Sequence, residues 1–315
     1  MKRRFALTAG FLLLAAVTLT ACLSSDRRVE ASPGLRGEPQ TRNRRMKNVL
    51  VVTVTKGFRH DSIPVAEETI KLLGERTGAW ITDFARTDAD IQQKMTPQAL
   101  QRYDAVIFAN TTGVLPLPDP PALLEYVRSG KGFVAMHAGS DTFHTWPGSS
   151  APVSEYIQML GGEFLTHGAQ CAVDGHILDP KHPATIAIVR SGERTDPATA
   201  ANVDLKKYTV ATGKIWKVFD EIYILKNVDR VNLRALVVLD RYPPDGSPNA
   251  GKPGEHLISW CRTYGRGRVF YTALGHRQEV WRDPLFQEHI AGGIQFALGL
   301  MKGETRPNPE AAPAK

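Results

Sequence analysis

Gly130–Trp146, reading GKGFVAMHAGSDTFHTW, is the stretch that decides how this chain is read. Its first half, Gly132-Phe-Val-Ala-Met136, is a short continuous apolar run announced by Gly130-Lys131-Gly132, as expected of a strand buried on both faces of a parallel sheet. The run stops at His137-Ala138-Gly139-Ser140-Asp141, polar and small residues placed directly after the strand's carboxyl end. Open α/β sheets bind ligands at that end, outside the strand tips. His137, Ser140, Asp141 and His144 therefore stand where chemistry is expected, and the alternative for His137 is a hydrogen-bonded structural histidine.

Upstream, the pattern is strand and helix in alternation. Asn48–Thr55 reads as a buried β-branched strand, and Ser62 with Pro64 opens a helix to about Arg76. Ala79–Phe84 suits a second strand, Thr96-Pro97 a short helix, Tyr103–Ala109 a third strand and Pro120–Ser129 a helix stopped by Gly130. That spacing implies right-handed crossovers and a mostly parallel sheet. Downstream the signal is less regular. Val153–Leu160 is amphipathic, and Cys171–Ile177, Thr185–Val189, Glu221–Leu225 and Leu233–Leu239 read as short strands. Leu257–Tyr264 and Arg268–Leu274 read as a hairpin, and Pro284–Leu300 carries Phe286, Ile290, Ile294 and Leu298 at helical spacing.

The N-terminus predicts export. Lys2-Arg3-Arg4 is a basic segment, Phe5–Leu19 is apolar but short for a membrane span, and Leu19-Thr20-Ala21-Cys22 is similar to a bacterial lipobox. The expected arrangement is a signal over 1–21, lipidation at Cys22, a tether over 22–46, one α/β domain over 47–302 and a Pro-rich disordered tail over 303–315. This places the protein in the cell envelope, lipid-anchored at the outer membrane or on the periplasmic face if the cell is Gram-negative.

The formal net charge of +7 dissolves once located. Three positive charges lie at Lys2, Arg3 and Arg4, and residues 23–47 carry seven basic against three acidic residues, which leaves 48–315 neutral. Nucleic acid is therefore not an expected partner; the membrane, through the lipid, is. With Cys22 acylated, Cys171 and Cys261 are an even pair that either forms a disulfide or stays as two buried thiols.

Several motifs together resemble the ThuA-like, trehalose-utilisation family: Val51-Val-Thr-Val-Thr-Lys-Gly-Phe-Arg-His-Asp-Ser62, Gly132–Asp141, Gly161-Gly-Glu-Phe164 with His167, Asp179–Thr185, and Ala273-Leu-Gly-His276 through Trp281-Arg-Asp-Pro284. Gly292–Ala297 completes the set. The resemblance implies a flavodoxin-like, class I glutamine amidotransferase-like three-layer sandwich and a sugar-linked role. In that fold the nucleophilic cysteine sits in an elbow after a central strand, and here Ala135-Met136-His137-Ala138-Gly139 puts a histidine in its place. His276 is the counterpart of the triad histidine, and the acid would fall near Gln278 or Glu279. Without a thiolate, amidotransferase chemistry is excluded.

Two readings remain. In the first, His137, His276 and Asp141 act as acid and base on a sugar or keto-sugar, with a divalent metal held by His137 and His276 as an option, since imidazole and carboxylate suit such ions. His60, Asp61, Ser140, His144, Trp146, His167, Glu279 and Trp281 would line the substrate site, the tryptophans and Phe143 as stacking surfaces. Asp61 or Ser62 capping the first helix is the competing role for that segment. His176 is taken as a lining residue, His182 as part of a structural turn, and His256 and His289 as surface or helix-capping residues. In the second reading the domain is a non-catalytic module that binds carbohydrate or protein.

Overall fold

Five apolar runs become adjacent parallel strands. β1 (Lys47–Val52), β2 (Trp80–Ala85), β3 (Ala105–Ala109) and β4 (Gly132–Met136) pair in parallel, as does β12 (Gly267–Thr272) on the far side of β4. Val49–Val52, all of β3 and all of β4 are buried, which explains why these segments carry no polar alternation. The computed structural model describes residues 45–145 and 152–311. Trp146 and Cys22, and with them the expected stacking surface, signal and lipid anchor, lie outside the described residues.

The remaining strands extend this half with antiparallel neighbours. β11 (Pro253–Tyr264) returns from β12 as the expected hairpin and pairs with β10 (Arg234–Arg241). Beyond them lie β6 (Cys171–Ile177), β8 (Ile215–Asp220) and β7 (Val210–Thr212), giving a ten-stranded sheet ordered β2-β1-β3-β4-β12-β11-β10-β6-β8-β7. A separate pair, β5 (Glu163–His167) with β9 (Tyr223–Lys226), stands outside it.

Helices cover both faces. α1 (Ile63–Thr77) and α9 (Pro284–Ala297) bury Ala66, Ile70, Leu73, Phe286, Ile290 and Ile294 in one core, on the side where Val49, Val51, Val134 and Met136 point. α2 (Asp88–Lys94), α3 (Pro97–Leu100), α4 (Pro120–Arg128) and α5 (Glu155–Leu160) close the other face over Leu50, Val106, Phe108 and Phe133. The alternation of strand side chains between the two cores is the period of a pleated sheet, and it makes this a three-layer α/β sandwich. α6 (Ile186–Gly192), α7 (Pro197–Ala201) and α8 (Gln278–Arg282) complete the set.

The structure corrects several expectations. Thr185–Val189 is not a strand: Ile188 and Val189 are buried on α6, where tertiary packing overrides the β-branched composition. Of the two alternatives for Cys171 and Cys261, a disulfide or two buried thiols, the structure has two buried free thiols. His289 and His256 are buried, not surface groups; they lie beside the Ala184 and Tyr223 carbonyl oxygens, each at 2.7 Å. The segment 303–311, read from composition as a disordered tail, follows the sheet: Asn308 gives and takes backbone hydrogen bonds at Ala235, at 3.0 and 2.8 Å.

Candidate active site

The loops leaving β1, β3 and β4 stay hydrogen-bonded to one another beyond the sheet. The Lys56 N–H donates to the Thr112 carbonyl at 2.8 Å and the Gly113 N–H to the Asp141 carbonyl at 3.0 Å. Together with the link between β8 and β9 they wall a cavity of about 370 Å³ at the carboxyl ends of the parallel strands, lined among others by Phe58, His60, Asp141, His144, Glu221 and His276. That is the expected position for a ligand in an open α/β sheet, and the size suits a small molecule. A larger groove of about 590 Å³ beside β6 and β10 holds His176 only at 3.9 Å from Asp240, so it gathers far less chemistry.

His137 stands at the tip of β4 with a left-handed φ of 47°, a conformation rare for a side chain of this size. The sharp turn is possible because Gly139 lies against the strand: a Cβ there would sit 2.8 Å from Ala135 Cβ. The elbow geometry is thus present with an imidazole in place of the thiol. His137 is fully buried, and its Nδ1 donates to the Ala273 carbonyl at 2.7 Å, so that in the neutral imidazole the lone pair is on Nε2, which faces Glu221 at 3.6 Å. His137 therefore has both an anchoring bond and a free lone pair.

His60 and His276 complete a ring cluster. His60 lies edge-on to His137 and to His276, with ring centroids 4.8 and 5.1 Å apart, and Tyr223 lies against the other side of His137 at 4.1 Å. Glu221 enters from the β8–β9 link: Oε2 is 3.6 Å from His137 Nε2 and 3.2 Å from His276 Nδ1, and Oε1 is 3.1 Å from His167 Nδ1. The first contact is too long for a hydrogen bond and the second is poorly aligned. His60 Nδ1, His137 Nε2 and His276 Nδ1 accordingly have no hydrogen-bond partner although all three atoms are buried. One donor atom from each of His60, His137, Glu221 and His276 lies within 4.8 Å of the others, the one such four-residue group among the described residues.

Electrostatics divide these groups. Burial, then the neighbouring imidazoles of His137 and His276, push His60 down to about 3, so it is neutral in ordinary conditions. Burial opposes ionisation of Glu221, but His137 and His276 overcome it and hold the carboxyl well below its usual range. For His276 burial acts downward and the Glu221 carboxylate outweighs it, so the imidazole titrates above its ordinary value. On the opposite wall Asp141 lies 2.9 Å from His144 Nδ1 and raises that histidine.

The loop carrying His276 is fixed at Gly275, whose φ of 120° suits glycine. Its carbonyl accepts from Trp281 Nε1 at 2.8 Å, Asn110 Nδ2 at 3.0 Å and Ser62 Oγ at 3.3 Å, while its N–H donates to buried Asp220 at 2.7 Å.

Of the residues read from sequence, His60, His137, Asp141, His144, His167 and His276 converge on this cavity. Four do not. Trp281 is fully buried and serves as a donor to Gly275, not as a stacking surface. Ser140 is fully buried and bonded to the Tyr271 hydroxyl at 2.9 Å. Glu279 is half exposed and pairs with Arg277 at 3.2 Å, so no acid stands behind His276 at that position. Asp61 is exposed and takes a hydrogen bond from Gln278 at 3.3 Å. Ser62 precedes α1 without a side-chain cap, its hydroxyl being used on Gly275. Glu221 was missed: it lies 84 positions beyond His137 with no local motif, and only an acidic pair closing an alternating strand, Asp220-Glu221, marks it.

Fold and site together define a three-layer α/β sandwich, consistent with a flavodoxin-like or amidotransferase-like fold, with a histidine at the tip of its central strand. The family model described as ThuA, trehalose utilisation, matches residues 48–297, and the chain belongs to that family. Solved structures agree on the fold. A ThuA-like protein from Parabacteroides merdae aligns with a TM-score of 0.58 at 17% identity, over 86% of this chain and 98% of that one. A ThuA-like protein from Bacteroides uniformis aligns with a TM-score of 0.55 at 17% identity, over 85% and 95% respectively. Comparison with curated proteins finds no match.

Proposed function

We propose that this ThuA-family protein is a carbohydrate-active enzyme that works on a keto-sugar or glycoside by histidine acid–base chemistry. The observation that carries the reading is the convergence of His60, His137, His276 and Glu221 at the base of one strand-tip cavity, with three buried imidazole nitrogens left without a partner. Clusters of perturbed ionisable groups in a cleft are what acid–base catalysis requires. The family's description points to sugar metabolism as the setting.

The chemistry follows from the groups. A carbon next to a sugar ketone carries an acidic hydrogen. A neutral imidazole takes that proton while the electron pair moves onto the ketone oxygen, and His276, whose imidazole Glu221 shifts toward the protonated form, stabilises or protonates the resulting enediolate. Reprotonation at another face or carbon gives epimerisation or isomerisation; loss of a β-substituent gives elimination. Lipidation at Cys22 would hold this activity at the envelope.

Phe58 gives weight to a second reading, a binding module without turnover. It is 65% exposed at the cavity mouth, the kind of aromatic surface on which a sugar ring stacks. One experiment separates the two. A 3-keto-glycoside is incubated with the protein in heavy water and deuterium uptake beside the ketone is followed by NMR. The enzyme reading expects uptake or product formation that disappears in His276→Ala. Saturable binding with no exchange and no product would leave the binding module.

A further inference from the structure

We infer that His60, His137, His276 and Glu221 are the ligands of one divalent transition-metal ion of the zinc class. This deepens the proposed function, because the ion would sit in the same cavity.

The argument starts from what the four residues lack. Buried polar atoms are nearly always hydrogen-bonded, yet His60 Nδ1, His137 Nε2 and His276 Nδ1 are all buried and unpartnered within one cluster. His137 is fully buried and His60 is 4% exposed, so no bulk water satisfies them. Two of these atoms, His137 Nε2 and His276 Nδ1, lie 3.6 and 3.2 Å from one oxygen of Glu221, and a nitrogen of His60 lies within 4.8 Å of the set, which makes a poor hydrogen-bond network and a good ligand set.

His137 shows the second mark of a ligand. Its Nδ1–H is spent on the Ala273 carbonyl at 2.7 Å, which fixes the tautomer with the lone pair on Nε2. Metal-bound histidines are oriented in this way by a carbonyl or carboxylate on the far nitrogen. Glu221 presents Oε2 to His137 and His276, while its Oε1 lies 3.1 Å from His167 Nδ1, whose N–H donates to the Gly168 carbonyl at 3.0 Å.

The donor set selects the ion. Three imidazoles and one carboxylate suit zinc, iron(II) or manganese, whereas calcium and magnesium prefer all-oxygen sites. The donor atoms lie within 4.8 Å of one another, wider than the roughly 3.4 Å separation implied by zinc–nitrogen bonds of about 2.0–2.1 Å. His60 on the loop after β1 and Glu221 in the β8–β9 link are outside regular structure, and these two can draw inward.

The test uses the purified full chain, stripped with chelator and titrated calorimetrically with zinc chloride alone. Manganese chloride serves as a second probe, and melting temperature is followed in parallel. One equivalent of zinc should bind and raise the melting temperature. His137→Ala and Glu221→Gln should each weaken binding by at least about 100-fold, and His176→Ala in the separate groove should change nothing. Circular dichroism of the metal-free variants checks folding, and Glu221→Gln, with no backbone strain at its position, keeps the test valid if His137→Ala misfolds. Failure of stripped wild type to bind either ion, or one equivalent bound undiminished in both ligand variants, overturns the assignment. No substrate enters this measurement, so a missing metal leaves the carbohydrate reading standing and an unreactive keto-sugar leaves the metal site standing.

Discussion

Asp220 Oδ2 accepts the backbone N–H of Gly275 at 2.7 Å, and so fixes the residue immediately before His276. The same carboxylate takes the Arg277 N–H at 3.2 Å through its other oxygen. Asp220 is fully buried, and burial pushes its carboxyl up even though His137 and the Gly275 N–H favour the charge. Its neighbour Glu221 reaches the imidazoles directly. Two adjacent acids at the end of β8 thus divide the work, one holding the loop and one facing the cavity.

Asp220→Asn tests that division. Asparagine keeps one accepting oxygen but turns an NH2 toward a backbone N–H, leaving a buried donor unpaired. The cost is about 1–3 kcal/mol in chemical denaturation. Zinc affinity should fall about 10–100-fold although Asp220 touches none of the four imidazole and carboxylate donor atoms. Unchanged stability with unchanged zinc affinity would show that Gly275 is held by its carbonyl partners alone.

Gly139→Val tests the elbow. The new Cβ would meet Ala135 Cβ at 2.8 Å and the Phe108 carbonyl at 3.3 Å, in a layer with no room to yield. Overpacking of this kind costs about 1–3 kcal/mol, and it displaces the turn that sets His137 at positive φ. A melt within about 0.5 kcal/mol of wild type would mean the turn tolerates a side chain there.

Aromatic residues should separate by role. Trp281→Phe removes the Nε1 donor to Gly275 from a fully buried site and should lower stability by about 1–3 kcal/mol. Phe58→Ala, at an exposed position, should stay within about 0.5 kcal/mol in the melt yet weaken binding of a 3-keto-glycoside or trehalose by titration. The reverse pattern would restore Trp281 as the stacking surface and remove Phe58.

Much of this was legible in the sequence because it is local. Buried parallel strands read as apolar runs, so Gly132–Met136 and Arg268–Leu274 announced both themselves and the histidines at or just beyond their ends. His60 followed from the same logic at the end of the first strand. Glu221 was not legible, because its place depends on β8 joining the sheet at the antiparallel side, a pairing made by residues far apart in the chain. Trp281 and Ser140 were misread for the opposite reason: both sit next to strand-tip segments, but what they bond to is the scaffold behind the site, the Gly275 carbonyl and the Tyr271 hydroxyl. Composition likewise concealed the 303–311 segment, where a single asparagine, Asn308, satisfies both backbone groups of Ala235.

His289 gives a prediction about pH that is independent of the site. Burial holds its imidazole at about 4, against 6.5 for a free histidine, with the Nδ1–H bond to the Ala184 carbonyl as the smaller, opposing influence. Between those values the unfolded chain binds a proton that the folded chain does not. The contribution is therefore complete above pH 6.5 and is lost as pH falls toward 4. A shift of this size corresponds to roughly 3 kcal/mol. His182, also buried and lowered to about 4, adds in the same direction. His289→Asn places an amide N–H where Nδ1 faces Ala184 and has nothing to protonate. Urea denaturation at pH 7.5 and 4.5 should show the wild type losing about 2–3 kcal/mol more than the variant over that interval. Equal losses would mean that His289 takes up its proton in the fold as easily as in the unfolded chain, which its fully buried position opposes.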